Sequence, residues 1–451
     1  MRRPRVHRTP LIRSLGLKNF RGFRRLRDLQ LAPLTFLVGP NSSGKSSLAD
    51  AIMFLAQSEL LTLNSIHPRW TGPLVDLGSY QDAVYRHRAR NRIGISAEVQ
   101  LPAYRKYRKE NVQLRFDVGL HKTKSPSGAV NELVVTRAHD ELLRLSRRRG
   151  QHPSYTLEGA FAKTPAIWKP ASERTSQFRA FSDFVMGEIF RPHRGRRNAA
   201  HQLIFEVFDE SALWPISRMQ RVSSARGGPA RWYAQAAPAE DRPGTVCFDS
   251  VGLNILDTEP SDRRTNASIQ EFIAKALKRL KIASEIEPKE LSEYHAALMI
   301  TDDVTGIESN LIDVGFGTSQ ILPVLRSLAS AGGGPLFVEQ PEVHLHPRAQ
   351  GIIAELLAEA TNRRQIFVET HSEHMINRLR IMIAERRFHP EDVVILYVDR
   401  NSMGSFVTRI ELDDAGDFQS PWPDGFFDER YKDTMRLSQL KAAKEDHARR
   451  R

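Results

Sequence analysis

The sequence predicts an α/β fold: a mixed sheet with flanking helices, an antiparallel β portion, and an inserted subdomain of mostly helical or mixed structure. Three observations carry this reading. An apolar run, Leu34–Val38, turns at Gly39-Pro40 and gives way to helical spacing after Lys45. Two further apolar runs, "PLFVE" and "QIFVE", each end in an acid, at Glu339 and Glu369. The segments "GISAEVQL" and "VQLRFDVGL" alternate apolar and polar residues, as antiparallel strands do.

The first run is the most informative. "LTFLVGPNSSGKSSLADAI" contains Gly39-x-x-x-x-Gly44-Lys45-Ser46, the spacing of a phosphate-binding loop. Glycines at 39 and 44 let the backbone turn so that successive N–H groups face one anion. A helix starting near Lys45 adds the positive end of its dipole. Lys45 is placed to reach the β- and γ-phosphates, and the Ser46 hydroxyl to ligate Mg²⁺. A nucleoside triphosphate is the expected ligand.

Three later segments extend this logic. In "GGPLFVEQPEVHLHPRAQ", Glu339 ends a strand where a carboxylate can hold Mg²⁺, directly or through water, and Gln340 and Glu342 follow at once. In "RQIFVETHSEH", a second buried strand runs into Glu369-Thr370-His371-Ser372, which sets His371 to contact a γ-phosphate from a neighbouring parallel strand. In "LIDVGFGTSQILPVL", Gly315, Gly317 and Ser319 precede an apolar helix; they either present donors to a second phosphate group or, for Ser319, cap the helix.

Bulk properties narrow the class. A chain of 451 residues exceeds one ordinary core and points to two or three structural units. With 26% charged and 40% hydrophobic residues it reads as globular rather than disordered. The net charge of +13 favours polyanion partners, nucleic acid first, against a merely solubilising surface. A single cysteine, Cys247, excludes an internal disulfide framework and fits a reducing cytoplasm. No stretch approaches the roughly 20 apolar residues that span a bilayer, and the basic start lacks the apolar core of a signal peptide.

The expected units are an N-terminal lobe at 1–110, an inserted helical or mixed subdomain at 111–245, a C-terminal lobe at 246–435 and a basic tail at 436–451. "FRAFSDFVMGEIF" reads as helical, and "ASIQEFIAKALKRLKIASEI" as one amphipathic helix. Basic clusters at 85–92, 104–110, 144–150 and 191–197, with Tyr85, Tyr104 and Tyr107 among them, are either phosphate contacts or a solvated face.

The phosphate loop, "DVGFGTSQ", "FVEQPEVHLHP" and "FVETHS", in that order and with a long insertion after the first, resemble the ABC-type ATPases of the RecF/SMC/OLD group. The opening "LGLKNFRGF" and the tail "WPDGFFDE" resemble a bacterial AAA-family subgroup whose tail is a domain of unknown function. The resemblance covers roughly 1–85 and 245–435. It implies a head domain that hydrolyses ATP with Mg²⁺ and dimerises around two ATP molecules. It assigns Gly39, Asn41, Ser42, Ser43, Gly44, Lys45, Ser46 and Ser47 to the phosphate loop, and Ser46 and Glu339 to Mg²⁺. Gly317 and Ser319 would reach the partner's ATP, His371 would be the switch histidine, and Phe20 and Arg21 would flank the nucleotide. Gln81 is either the glutamine-loop residue or a surface polar group. Gln340 departs from the group's pattern, which places a glutamate there. A neutral amide orients water but accepts no proton, so slow hydrolysis is expected, with Glu342 as the substitute base.

The function expected is a cytoplasmic ATPase that couples ATP-driven dimerisation to sensing or processing DNA or RNA, in anti-phage defence or repair, with a separate nuclease or effector subunit. The alternative is a regulatory or scaffold ATPase on a protein partner, docked through Trp422, Phe426 and Phe427. Intrinsic nuclease activity is not expected: Asp399 and Asp413-Asp414 are the nearest carboxylates and the sequence ends soon after.

Overall fold

A computed structural model describes residues 11–61, 66–102, 111–148, 154–159, 166–168, 216–234, 244–246, 263–292, 295–330, 334–423, 432–433 and 435–440. The chain opens with β1 (Leu11–Phe20), β2 (Phe23–Gln30) and β3 (Leu34–Val38), then α1 (Lys45–Gln57) and the short α2 (Tyr80–Ala83). A run of strands follows: β4 (Ile93–Leu101), β5 (Val112–His121), β6 (Ala129–Arg137), β7 (Asp140–Arg147), β8 (Tyr155–Gly159), β9 (Ala166–Trp168), β10 (Gln220–Val222), β11 (Tyr233–Ala234) and β12 (Gly244–Val246). The C-terminal part comprises α3 (Arg263–Leu280), β13 (Ala283–Ser292), β14 (His295–Asp302), β15 (Glu308–Asn310) and α4 (Phe316–Ala329). It continues with β16 (Leu336–Glu339), α5 (Pro347–Ala360), β17 (Ile366–Glu369), α6 (Glu373–Ala384), β18 (Val393–Asn401) and β19 (Gly404–Ile410).

These strands build three sheets. An antiparallel sheet runs β2-β1-β4-β5-β6-β7-β8-β9. A second runs β12-β10-β16-β17-β3-β18-β19 and is parallel except for its last pair. A small third sheet sets β14 between β11 and β13, with β15 also on β14.

Burial explains the patterns. In β4, Ile93, Ile95, Ala97, Val99 and Leu101 are buried in strict alternation, as one-sided antiparallel strands require. β3 is buried at every position because it lies inside the parallel sheet. Leu34, Phe36 and Val38 face a core shared with Val338, Val368 and α3 to α6. Leu37, with Phe337 and Phe367, faces a second core shared with α1 and the antiparallel sheet. The parallel sheet is thus the middle layer, covered on both faces.

Several expectations change. Strands β5 to β9, expected within the inserted subdomain, continue the N-terminal sheet one after another, beginning with Ile93↔Leu120 through Leu101↔Val112. The amphipathic helix ends at Leu280: Lys281 takes φ 55°, and "ASEI" starts β13. "FRAFSDFVMGEIF", Cys247 and the clusters at 104–110 and 191–197 lie outside the described residues.

The antiparallel and parallel sheets are clipped together at Gln365, which is 1% exposed. Its Oε1 accepts from Ile12 N–H at 2.8 Å, and its Nε2 donates to the carbonyls of Ile12 and Ala32 at 2.8 and 3.0 Å. Replacing it by leucine leaves these buried backbone groups unpartnered. Gln365→Leu is expected to lower the unfolding free energy by about 2–4 kcal/mol, read as an earlier denaturant midpoint at unchanged m-value.

Candidate functional site

The carboxyl ends of β16, β17 and β3 lie side by side, in register Glu339↔Glu369↔Leu37. The phosphate loop leaves β3 at this same edge and leads into α1. The carboxyl edge of an open parallel sheet is where such folds take ligands.

Backbone geometry forms the loop. Gly39 and Gly44 take φ of 136° and 111°, conformations that a side chain would strain. A Cβ on Gly39 would run into the Val398 carbonyl, and one on Gly44 would sit 2.6 Å from Ser405 Oγ. The β18–β19 hairpin therefore presses directly on the loop. Ser42, exposed at φ 61°, offers its carbonyl to Arg400 at 3.4 Å.

Lys45 is 4% exposed. Its Nζ donates to the carbonyls of Gly39 and Pro40 at 3.0 and 2.9 Å and lies 3.8 Å from Glu369 Oε1. Burial lowers its pKa, against the pull of Glu369. The exposed Ser46 donates its hydroxyl to Glu369 Oε2 at 3.1 Å. Ser43 Oγ is buried with no hydrogen-bond partner. A buried ammonium, an orphaned hydroxyl and a glycine-shaped loop at a helix N-terminus fit a phosphate ester. Asn41 is exposed and Ser47 half-buried at the same turn.

Glu339, the carboxylate expected to serve Mg²⁺, is held one strand further away. Arg221 Nε donates to its Oε1 at 2.8 Å, and the Ser224 N–H to its Oε2 at 3.1 Å. The carboxylate that touches Ser46 is Glu369, because β17 lies between β16 and β3. Burial raises the pKa of Glu369, with Lys45 and Ser46 opposing.

Gln340 takes φ 43°, a left-handed conformation held by its N–H donating to Glu369 O at 2.7 Å and by Arg226 donating to its carbonyl at 2.9 Å. Glu342 Oε1 accepts from the His371 N–H at 2.8 Å, while its buried Oε2 has no hydrogen-bond partner. Glu342 thereby braces the backbone of His371, and burial raises its pKa. Desolvation and then Lys45 keep the His371 imidazole below its usual value.

Other expected residues sit differently. Phe20 is 0% exposed and belongs to the core, so its side chain does not flank a nucleotide; its backbone bridges Val84. Arg21 pairs instead with Asp50 of α1, and its N–H donates to Ala83 O at 2.7 Å. Gln81 spends its amide on the His87 carbonyl. Tyr85 is buried with its hydroxyl donated to Met403 O, which removes it as a stacking surface. Ser319 is not the cap of α4; Gly315 occupies that position, and the Ser319 hydroxyl turns inward to Phe316 O at 2.8 Å. Gly317 is close-packed, since a Cβ there would meet the His344 carbonyl. Trp422 packs on Phe418 at 4.7 Å against the core shared with α3 to α6, while Phe426 and Phe427 lie outside the described residues.

Sequence reasoning missed three participants. Glu369 was visible as a second acid after an apolar strand. Arg221 carried no signal, because its partner Glu339 lies 118 residues away. Arg226, 1% exposed, donates to the carbonyls of Glu339, Gln340 and Gln320, and Gln320 returns a bond to Gly227 O. It ties the β16 turn to α4. Burial lowers its pKa to about 10.

A family model described as "AAA domain, putative AbiEii toxin, Type IV TA system" matches residues 34–377, and one described as "Protein of unknown function (DUF3696)" matches residues 389–437. The chain is similar to curated DNA replication and repair proteins RecF of Chloroflexus aurantiacus and Chloroflexus aggregans, at 49% and 46% identity over 55 residues. Those matches span 12% of this chain and 14% of each relative. Among solved structures it is similar to an SMC head bound to the C-terminal winged-helix domain of ScpA (13% identity, 90% of this chain and 98% of that one, TM-score 0.47). The SMC head domain from Thermotoga maritima is a second such structure (13% identity, 89% and 99%, TM-score 0.42).

The titration of Asp50 gives a measurable consequence. Burial, opposed by Arg21 and Arg221 and reinforced by Glu339 and Glu369, raises its pKa from 3.8 to about 6. The folded state then binds this proton more tightly than the unfolded state. Stability from this group is present below pH 3.8 and is lost as pH rises through 6. Asp50→Asn removes the titration, so its stability relative to wild type is expected to grow by about 2 kcal/mol between pH 4 and 7, read from paired denaturant melts across that range.

Proposed function

The chain belongs to the AAA-domain family matched over residues 34–377, ABC-type ATPases of the RecF/SMC-like group, and from that premise we propose that it is a slow ATP-dependent switch acting on DNA. ATP with Mg²⁺ would be held by the loop Gly39–Ser47, with Lys45 on the phosphates and Ser46 and Glu339 toward the metal. The metal supplies charge neutralisation at the β- and γ-phosphates when bound. The observation that carries this reading is the meeting of the phosphate loop, Glu339, Glu369 and His371 at one sheet edge.

Dimerisation is supported by α4, whose first turn leaves Phe316 52% exposed beside Gly315, as a surface waiting for a second head would. The partner's phosphates would meet this helix N-terminus. Ser319 reaches them only if its hydroxyl leaves Phe316 O. DNA is favoured among polyanions by the net charge, by exposed Arg86, Arg88, Arg90 and Arg92, and by the local likeness to proteins named for DNA replication and repair. Arg144, by contrast, is neutralised by Glu132 and Glu141 and belongs to a solvated face. The setting we propose is anti-phage defence or repair in the cytoplasm, with a separate effector that reads the closed dimer.

Slow turnover follows from Gln340. Its left-handed backbone is fixed on both sides, and a neutral amide at this position can orient water but cannot accept its proton. Glu342 already braces His371, which makes it a positioning group rather than a free base.

Two experiments test this. Sedimentation with ATP, Mg²⁺ and duplex DNA is expected to show a wild-type dimer that carries DNA and releases it steeply as salt rises. Lys45→Ala is expected to stay monomeric; a variant that still dimerises with ATP sinks the reading. In single-turnover hydrolysis, Gln340→Glu is expected to run about tenfold faster or more, and equal rates would reject the slow-switch proposal.

A further inference from the structure

Glu369 has no role in the reading above beyond its position, yet it makes the closest side-chain contacts to the loop. Its carboxylate is 12% exposed, with Oε2 accepting from Ser46 at 3.1 Å and Oε1 3.8 Å from Lys45 Nζ. Those two groups, a hydroxyl and an ammonium, are the ones a phosphate loop turns on a metal-bound triphosphate. One carboxylate therefore occupies both at once. Its anchoring is independent of the ligand, because Glu369 stands in register with Glu339 and its own carbonyl accepts from Gln340 N–H.

Glu339 is not equivalent. Arg221 and the Ser224 N–H already hold both of its oxygens, and the position after it is a neutral amide. A strand end that offers one neutralised carboxylate is completed by a second from the adjacent strand. Magnesium is ordinarily held by one or two protein carboxylates together with the phosphates.

We propose that Glu369 is a magnesium-side carboxylate that makes nucleotide entry depend on the metal: it holds Ser46 and Lys45 until a metal–nucleotide displaces it, and then faces the metal beside Glu339. The proposal rests on the nucleotide site described above. Without a divalent cation, a triphosphate entering the loop meets the like charge of Glu369 and must break its hydrogen bond to Ser46 and displace its ion pair with Lys45. With the cation present, the same carboxylate is attracted. Glu369 thus converts the loop from a general anion site into one selective for the metal complex.

The test is the ratio of dissociation constants for a slowly hydrolysed ATP analogue in EDTA and in Mg²⁺, measured by calorimetry on the full chain. Glu369→Gln is expected to tighten binding in EDTA and weaken it in Mg²⁺, so that the ratio falls about tenfold or more. An unchanged ratio, with both constants moving together or neither moving, overturns the proposal, since a purely structural carboxylate would affect both states alike. Glu369→Asp, which keeps the charge but withdraws it from Ser46, is expected to give an intermediate ratio and serves as the test if the glutamine variant fails to fold. Wild-type protein that binds the analogue under neither condition defeats the nucleotide site itself, an outcome distinct from an unchanged ratio.

Discussion

A buried ammonium at the first turn of α1, just past the loop that leaves a buried strand, is the constraint around which this edge of the protein is organised. Lys45 has left water, so its charge must be met locally, and the fold meets it with two backbone carbonyls and one carboxylate. That carboxylate comes from a strand far away in sequence, which requires the parallel order β16-β17-β3 to be held tightly. The covering layers do so: two separate cores clamp the sheet from opposite faces, and Gln365 and the buried Arg364 tie carbonyls of β1, α4 and the segment before β16 to it. Electrostatics at the site and packing in the layers are one problem solved together.

The same economy shapes the neighbouring charges. Arg21 and Asp50, Arg221 and Glu339, and Lys45 and Glu369 form three opposite-sign pairs around one edge. Each carboxylate is partly desolvated, and each cation offsets that cost. A ligand that brings several negative charges and a divalent cation adds to this mosaic instead of entering an empty cavity. Binding there is an exchange of partners.

The phosphate loop was legible in the sequence because its chemistry is local: the glycines, the lysine and the hydroxyl lie within eight residues and between a strand and a helix with strong periodicity. The apolar strands before Glu339 and Glu369 were equally legible. Strand order was not, and it decides which acid touches Ser46. The Arg226 bridge was invisible because its partners lie about a hundred residues away and all three are backbone carbonyls, which carry no sequence signal. Phe20 was misread for a related reason: an aromatic beside a loop looks the same in sequence whether it faces the ligand or the core. β5 was legible as a strand, but charged residues diluted the alternation of β6 and β7, so a continuous sheet was divided at 110 and its later strands assigned to a helical or mixed insertion.

The boundary between the two matched family regions, near residue 388, runs through a single sheet. β18 belongs to the C-terminal region, yet it pairs with β3 along Leu34–Val38 and packs its Val398 carbonyl against Gly39. The tail is therefore not an appendage. A chain ending before it would leave the strand that carries the nucleotide loop as an exposed, largely apolar edge, the kind of surface that pairs with copies of itself and aggregates.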